Sequence, residues 1–191
     1  MDILERLLGH DAWTTGQLLE RCRELMPAQM QQRFDIGHEN LLDSFDHLIG
    51  NIEVWTDLML QHPMPIYAAE VQAERETLEG MIARYEVASH VFGKLALQLA
   101  AEQKLDECYS DFLDDPPRLK SFGGTIAHVL THNHSHRTEI IHILTHLGVK
   151  DVIEGDVLGW ESVLRANAEA EPPTPKGESL SLSITSIFET K

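Results

Sequence analysis

Helical spacing of apolar residues dominates the chain. From Asp2 to about Leu25, Ile3, Leu4, Leu7, Leu8, Leu18, Leu19 and Leu25 recur at that spacing, and Pro27 marks the end. Ala28 to Glu39 shows no sustained period and reads as a connection. Asn40 then opens a second helix, with Asp43 at the spacing of a cap and its reciprocal acid. The apolar face Leu41, Phe45, Leu48, Ile52, Trp55 and Met59 carries that helix to about Leu60, and Pro63 and Pro65 close it. Ala69 to about Gln103 is a long helical stretch, in which Gly80 bends the helix or marks its true start. Leu105 to Gly124, with paired prolines and an acid run, predicts an irregular crossover holding a short extended piece around Tyr109 to Phe112. Thr125 to Gly148 returns to helical periodicity and ends on a glycine cap, and Asp156 to Arg165 forms a short helical segment carrying Trp160.

Beyond a Pro-rich linker, Glu171 to Gly177, the pattern changes. Leu180, Leu182 and Ile184 alternate with serine and threonine, which is strand periodicity, and this tail is expected to pair with the crossover piece or with a second subunit. The expected fold is therefore all-α, a four-helix bundle with a long crossover and a short C-terminal extended tail. Residues 1–170 form one domain and 171–191 the tail.

Composition narrows the partners. With 191 residues and 42% hydrophobic content the chain can bury one sizeable core. A formal charge of −16 argues against nucleic acid and anionic membrane surfaces and favours a neutral or cationic small molecule. Cys22 and Cys108 are too few for a disulfide framework. No charged segment precedes an apolar run at the N-terminus and no apolar stretch approaches about 18 residues, so a cytoplasmic protein is expected.

Six of the eleven histidines fall within Thr125–Gly148. At about 100° per residue, His132 and His136 stand on adjacent turns of one face. The helix's apolar direction lies about 30° from His136 and about 70° from His132, while His134 points the opposite way. Two imidazoles four residues apart bring their rings to one point, a metal-binding geometry that supplies only two ligands. His47 is the third candidate, since it lies on the second helix in an uncharged polar stripe with Ser44 and Asn51. Three imidazoles hold Zn²⁺, Ni²⁺ or Fe²⁺ and leave a position free, the arrangement of a catalytic site. The competing reading is a histidine-rich helix without a metal; His128, His142 and His146 on its flank, like His10 on the first helix, read as rim or surface. Glu139, near the ligand face, is a candidate base or partner of a ligand.

Several segments together resemble the DinB/YfiT-like family of metal-binding four-helix bundles. DHLIGNIEVW supplies a histidine early in the second helix, His47, followed by Trp55; THNHSHRTE supplies His132, His136 and Arg137; HDAWTTGQLL and EGDVLGWE extend the match over residues 1 to 162. Thr138 stands where the family usually has glycine, and Glu139 where it has glutamine. The resemblance implies a central divalent metal on His47, His132 and His136, and a homodimer. It also implies, for some relatives, activation of a low-molecular-weight thiol for transfer. The expected function is a metal-dependent transferase acting with a thiol or water on a small electrophile, in detoxification or stress response; a metal-dependent hydrolase and a non-catalytic binding bundle are the alternatives. Arg137 is expected to pair with a neighbouring helix.

Overall fold

The computed structural model describes residues 1–62 and 77–170. Capping side chains set the starts of the long helices. The Asp2 carboxylate accepts from the Glu5 amide at 2.9 Å and opens α1 (Ile3–Arg21), which runs into a 3-10 turn, Cys22–Glu24, and a short α2 (Pro27–Met30). Asn40 opens α3 (Leu41–Met59) by accepting from the Asp43 amide at 2.9 Å. Asp43 does not return the bond to the Asn40 backbone as the capping spacing suggests; its carboxylate takes the Asn40 side-chain amide at 2.5 Å. The Asn40 backbone amide donates to the His38 carbonyl at 2.9 Å. Thr77 caps α4 (Leu78–Ala101), which places Gly80 in the first turn; the earlier residues of that expected helix, 69–76, lie outside the described residues. These bonds satisfy amides that have no partner inside a helix.

The expected crossover folds as a two-stranded antiparallel hairpin, β1 (Cys108–Asp111) and β2 (Arg118–Ser121), with Tyr109 opposite Lys120. Thus β1 takes its partner from the same crossover; the alternating tail that was expected to pair with it lies outside the described residues. Tyr109 is buried and its hydroxyl bonds the Thr125 hydroxyl at 2.8 Å, fixing the hairpin to α5 (Phe122–His146). Gly148 follows α5 with φ +80°, the left-handed turn that a glycine adopts without a Cβ clash. The chain ends its described course in α6 (Val157–Ala170), longer than the sequence suggests, with Trp160 fully buried and Glu161 accepting from Arg6 of α1 at 2.6 Å. Among the described residues the regular elements other than the hairpin are helices, and the architecture is all-α.

The four long helices pack in the ring order α1, α4, α3, α5. Helices α4 and α5, consecutive in sequence, face each other across the bundle, so the crossover does what its length allows and delivers α5 between α1 and α3. Leu18 and Leu19, Phe45, Leu48, Ile49 and Ile52, Met81 and Ala96, and Val129, Ile140, Ile143 and Leu144 meet in the core. Each large side chain buried there contributes about 1.5–3 kcal/mol. Trp55 departs from the sequence expectation: it is only partly buried, with one side on the core and the other lining a pocket.

A polar layer crosses this apolar core. Asp11, Thr14 and Thr15 of α1 and Asn133 and Arg137 of α5 are all buried. Arg137 pairs with Asp11 as expected, and Asn133 donates to the same carboxylate at 3.3 and 3.4 Å. The Tyr85 hydroxyl of α4 donates to the Asp11 and Ala12 carbonyls at 3.0 and 3.1 Å. His10, read from sequence as rim or surface, is buried because the connection after α5 folds over it; its Nε2 donates to the Gly155 carbonyl at 2.7 Å.

Candidate metal centre

Helix α3 places His47, and α5 places His132 and His136 one turn apart, at the seam where these two helices pack. The polar layer holds this seam from behind, because Asn51 of α3 donates to Asn133 at 3.4 Å while Asn133 and Arg137, alternating with the two histidines along α5, reach Asp11. Residues on that face of α5 therefore divide: Asn133 and Arg137 anchor inward, and His132 and His136 converge on His47.

The imidazole geometry is specific. Nε2 of His132 lies 3.4 Å from Nε2 of His47 and 3.3 Å from Nε2 of His136. On its other side His136 presents Nδ1 to Glu139 Oε2 at 2.8 Å. A carboxylate accepts, so this bond puts the proton on Nδ1 and leaves the Nε2 lone pair facing the other rings. Burial, then the neighbouring His136 and His47, lower the His132 pKa to about 4; burial, then His38 and His136, lower that of His47. Both are neutral at neutral pH, the state in which imidazole ligates a metal. His132 Nδ1 is buried without a hydrogen-bond partner.

A fourth imidazole, to which the sequence reading gave no role, completes the cluster. His38 lies in the connection before α3, its ring centroid 4.0 Å from that of His47 and 5.1 Å from that of His136. Ligand atoms of His38, His47 and His136 all lie within 4.8 Å of one another. Two trios thus share His47 and His136, one completed from α5 by His132 and the other from the loop by His38. The available signal was positional: His38 sits in a loop two residues before a helix cap and beside a glycine, and loops held by rigid helices commonly carry function. Gly37 has φ +49°, and a Cβ there would stand 2.2 Å from Glu139 Oε2, so the loop backbone lies directly on the carboxylate that orients His136.

His38 and His47 open onto a cavity of about 400 Å³ lined also by Asp43, Asp46, Asn51 and Trp55. Across Trp55 a second recess reaches His128 and Lys120, whose ammonium lies 4.7 Å from the centroid of the Trp55 ring. His128, His134, His142 and His146 are exposed.

The residues fit a metal ion. Two nitrogens bound about 2.0–2.1 Å from a tetrahedral ion stand about 3.3–3.4 Å apart, which matches the two Nε2 separations. Without an ion, facing lone pairs would repel unless a proton intervened, and burial opposes that proton.

Fold and site together define a helical bundle with an imidazole cluster compatible with metal binding, beside an open pocket. The profile of the DinB superfamily matches residues 10–140, which span all four clustered histidines and Glu139. The chain belongs to that superfamily. No curated protein and no solved structure gives a significant match. Among the described residues no helix is long and apolar enough to cross a membrane.

Proposed function

We propose that the protein binds one divalent metal through His47, His132 and His136 and works as a metal-dependent transferase that brings a thiol, or water, to a small electrophile. The observation that carries this reading is the approach of His132 Nε2 to the Nε2 atoms of His47 and His136, at 3.4 and 3.3 Å, with His47 lining an open cavity. Zn²⁺ or Ni²⁺, or Fe²⁺ as a further candidate, would supply Lewis acidity there, bringing the pKa of water or a thiol toward neutrality. Glu139 holds the His136 ring by its Nδ1 proton, which favours an orienting role over that of a free base. Trp55 provides an apolar wall for the electrophile, and Asp43 and Asp46 disfavour an anionic substrate. Hydrolysis is the same reading with water in place of the thiol. A binding bundle without turnover is favoured by a different observation, the nearness of His38, since a fourth imidazole would close the site. A homodimer in the cytoplasm, serving detoxification or stress response, completes the proposal.

Elemental analysis of protein purified with metal supplied tests the centre. We expect about one equivalent per chain, lost in the His47→Ala, His132→Ala, His136→Ala triple variant; equal content in both would sink the reading. A panel of thiols with a chromogenic electrophile tests the reaction. Acceleration with at least one thiol, abolished by chelation, supports transfer, whereas metal-loaded protein that accelerates none leaves the binding bundle.

A further inference from the structure

The two overlapping trios differ in how their members are attached. His47, His132 and His136 stand on α3 and α5, helices of 19 and 25 residues whose opposite faces are fixed in the core. His38 is half-buried on a loop and sits between two residues in the left-handed region, Gly37 at φ +49° and Glu39 at φ +69°. That loop is folded on itself, with the Phe34 amide donating to the Glu39 carbonyl at 2.6 Å and the Glu39 amide to the Ile36 carbonyl at 2.8 Å. It touches α5 through Gly37, against the Glu139 carboxylate, and through Phe34, whose ring centroid is 5.9 Å from that of His146.

We propose that His38 is a displaceable ligand of this centre, a loop-borne imidazole that fills the fourth position of an ion held by the three helix-borne histidines and gives it up to a small donor entering from the pocket. The inference rests on the metal reading above. Three observations support it. The His38 ring lies against His47, tilted by 30° with centroids 4.0 Å apart, and its ligand atom is within 4.8 Å of those of His47 and His136, two of the three helix-borne ligands. His38 and His47 both line the cavity of about 400 Å³, so a retreating His38 exposes the position on the side from which a small molecule arrives. The helix-borne ligands are fixed on α3 and α5 by the core and the polar layer, whereas His38 stands on a non-helical loop that meets the core only through the partly buried Phe34 and Ile36, so its ring shifts at less cost than a ligand on a packed helix. Closed four-ligand sites are structural and open three-ligand sites catalytic; a ligand on a loop gives one chain both states. The exchange replaces one lone-pair donor by another and needs no redox partner.

Glu139 ties the two states together. Its carboxylate holds His136 on one side and rests against Gly37 on the other, so the group that orients a permanent ligand also seats the loop carrying the displaceable one.

The test uses the full-length chain loaded with Co²⁺ or Zn²⁺. Removing a ligand should weaken binding at least as much as removing a ligand's outer hydrogen-bond partner, which typically costs about 10- to 100-fold in affinity. For His38→Ala we expect Zn²⁺ affinity, measured by chelator competition, to fall by about tenfold or more with one ion still bound. We also expect an altered Co²⁺ visible spectrum that free imidazole returns toward wild type. Gly37→Ala, which cannot keep Glu139 where it stands, should change the spectrum in the same direction with His38 intact. Circular dichroism monitors folding, and His38→Gln substitutes if the alanine variant does not fold. Unchanged affinity and spectrum in the His38 variant, or no response of that variant to imidazole, overturns the proposal while leaving the three-histidine centre in place. If wild type binds no more metal than the triple variant, the metal reading itself falls and this inference with it.

Discussion

At the scale of single residues, environment separates side chains of one chemical type. Cys22 is fully buried, and burial pushes its thiol up to about 12; Cys108 is exposed at the start of β1. The thiolate is the reactive form, so iodoacetamide at neutral pH should label Cys108 and spare Cys22 until the protein is denatured, as peptide mapping would show. Labelling of Cys22 in native protein would contradict its place in the core. The carboxylate on His136 makes a second prediction. Glu139→Ala should lower Zn²⁺ affinity by about 10- to 100-fold, with Glu139→Gln losing less because the amide oxygen still accepts from Nδ1. Equal affinities by chelator competition would remove Glu139 from the centre. Helical angles were enough to turn His132 and His136 inward and His134 outward, because those directions follow from one regular backbone. His38 was not legible in the same way, since its direction depends on a non-repeating loop whose path is set by two left-handed residues.

Between elements, the polar layer decides how the helices register. Hydrophobic periodicity located the helices and most of the core, but it could not show that the inward face of α1 includes Asp11, Thr14 and Thr15, because a buried polar residue is intelligible only with its partner. The partners, Asn133 and Arg137, lie more than a hundred residues away. Asp11→Ala leaves a guanidinium buried without its counter-ion and should cost about 3–5 kcal/mol in urea unfolding. Replacing both groups, with Asp11→Leu and Arg137→Met, should recover much of that loss, because no uncompensated charge remains; a double variant as unstable as the single would argue that the pair itself supplies the stability. His10 gives this layer a pH dependence. Burial lowers its pKa below 6.5 and outweighs the bond to Gly155, which raises it. As pH falls through 6.5 the unfolded chain takes up a proton here and the folded one lags, so lower pH favours unfolding through this group. Stability measured from pH 7.5 down to 5 should therefore decline less steeply in His10→Gln than in wild type.

For the whole molecule, the centre joins parts that are distant in the chain. His38 and His47 belong to the first third and His132 and His136 to the last helix of the ring, with α4 and the hairpin between them. An ion bound there holds only in the folded arrangement, since the unfolded chain cannot keep these rings within a few ångströms of one another. Binding at 100 times the dissociation constant adds about 2.7 kcal/mol to the native state. For a chain of this length each kcal/mol moves the melting temperature by about 2–4 °C, so saturating Zn²⁺ should raise it by about 5–10 °C. The shift should vanish in the triple histidine variant and survive, though smaller at equal metal concentration, in His38→Ala. Calorimetry with and without metal reads all three proteins. A stabilisation that persists undiminished in the triple variant would mean that metal acts elsewhere, for instance at the exposed histidines of α5, and would dissociate the family fold from the function proposed for it.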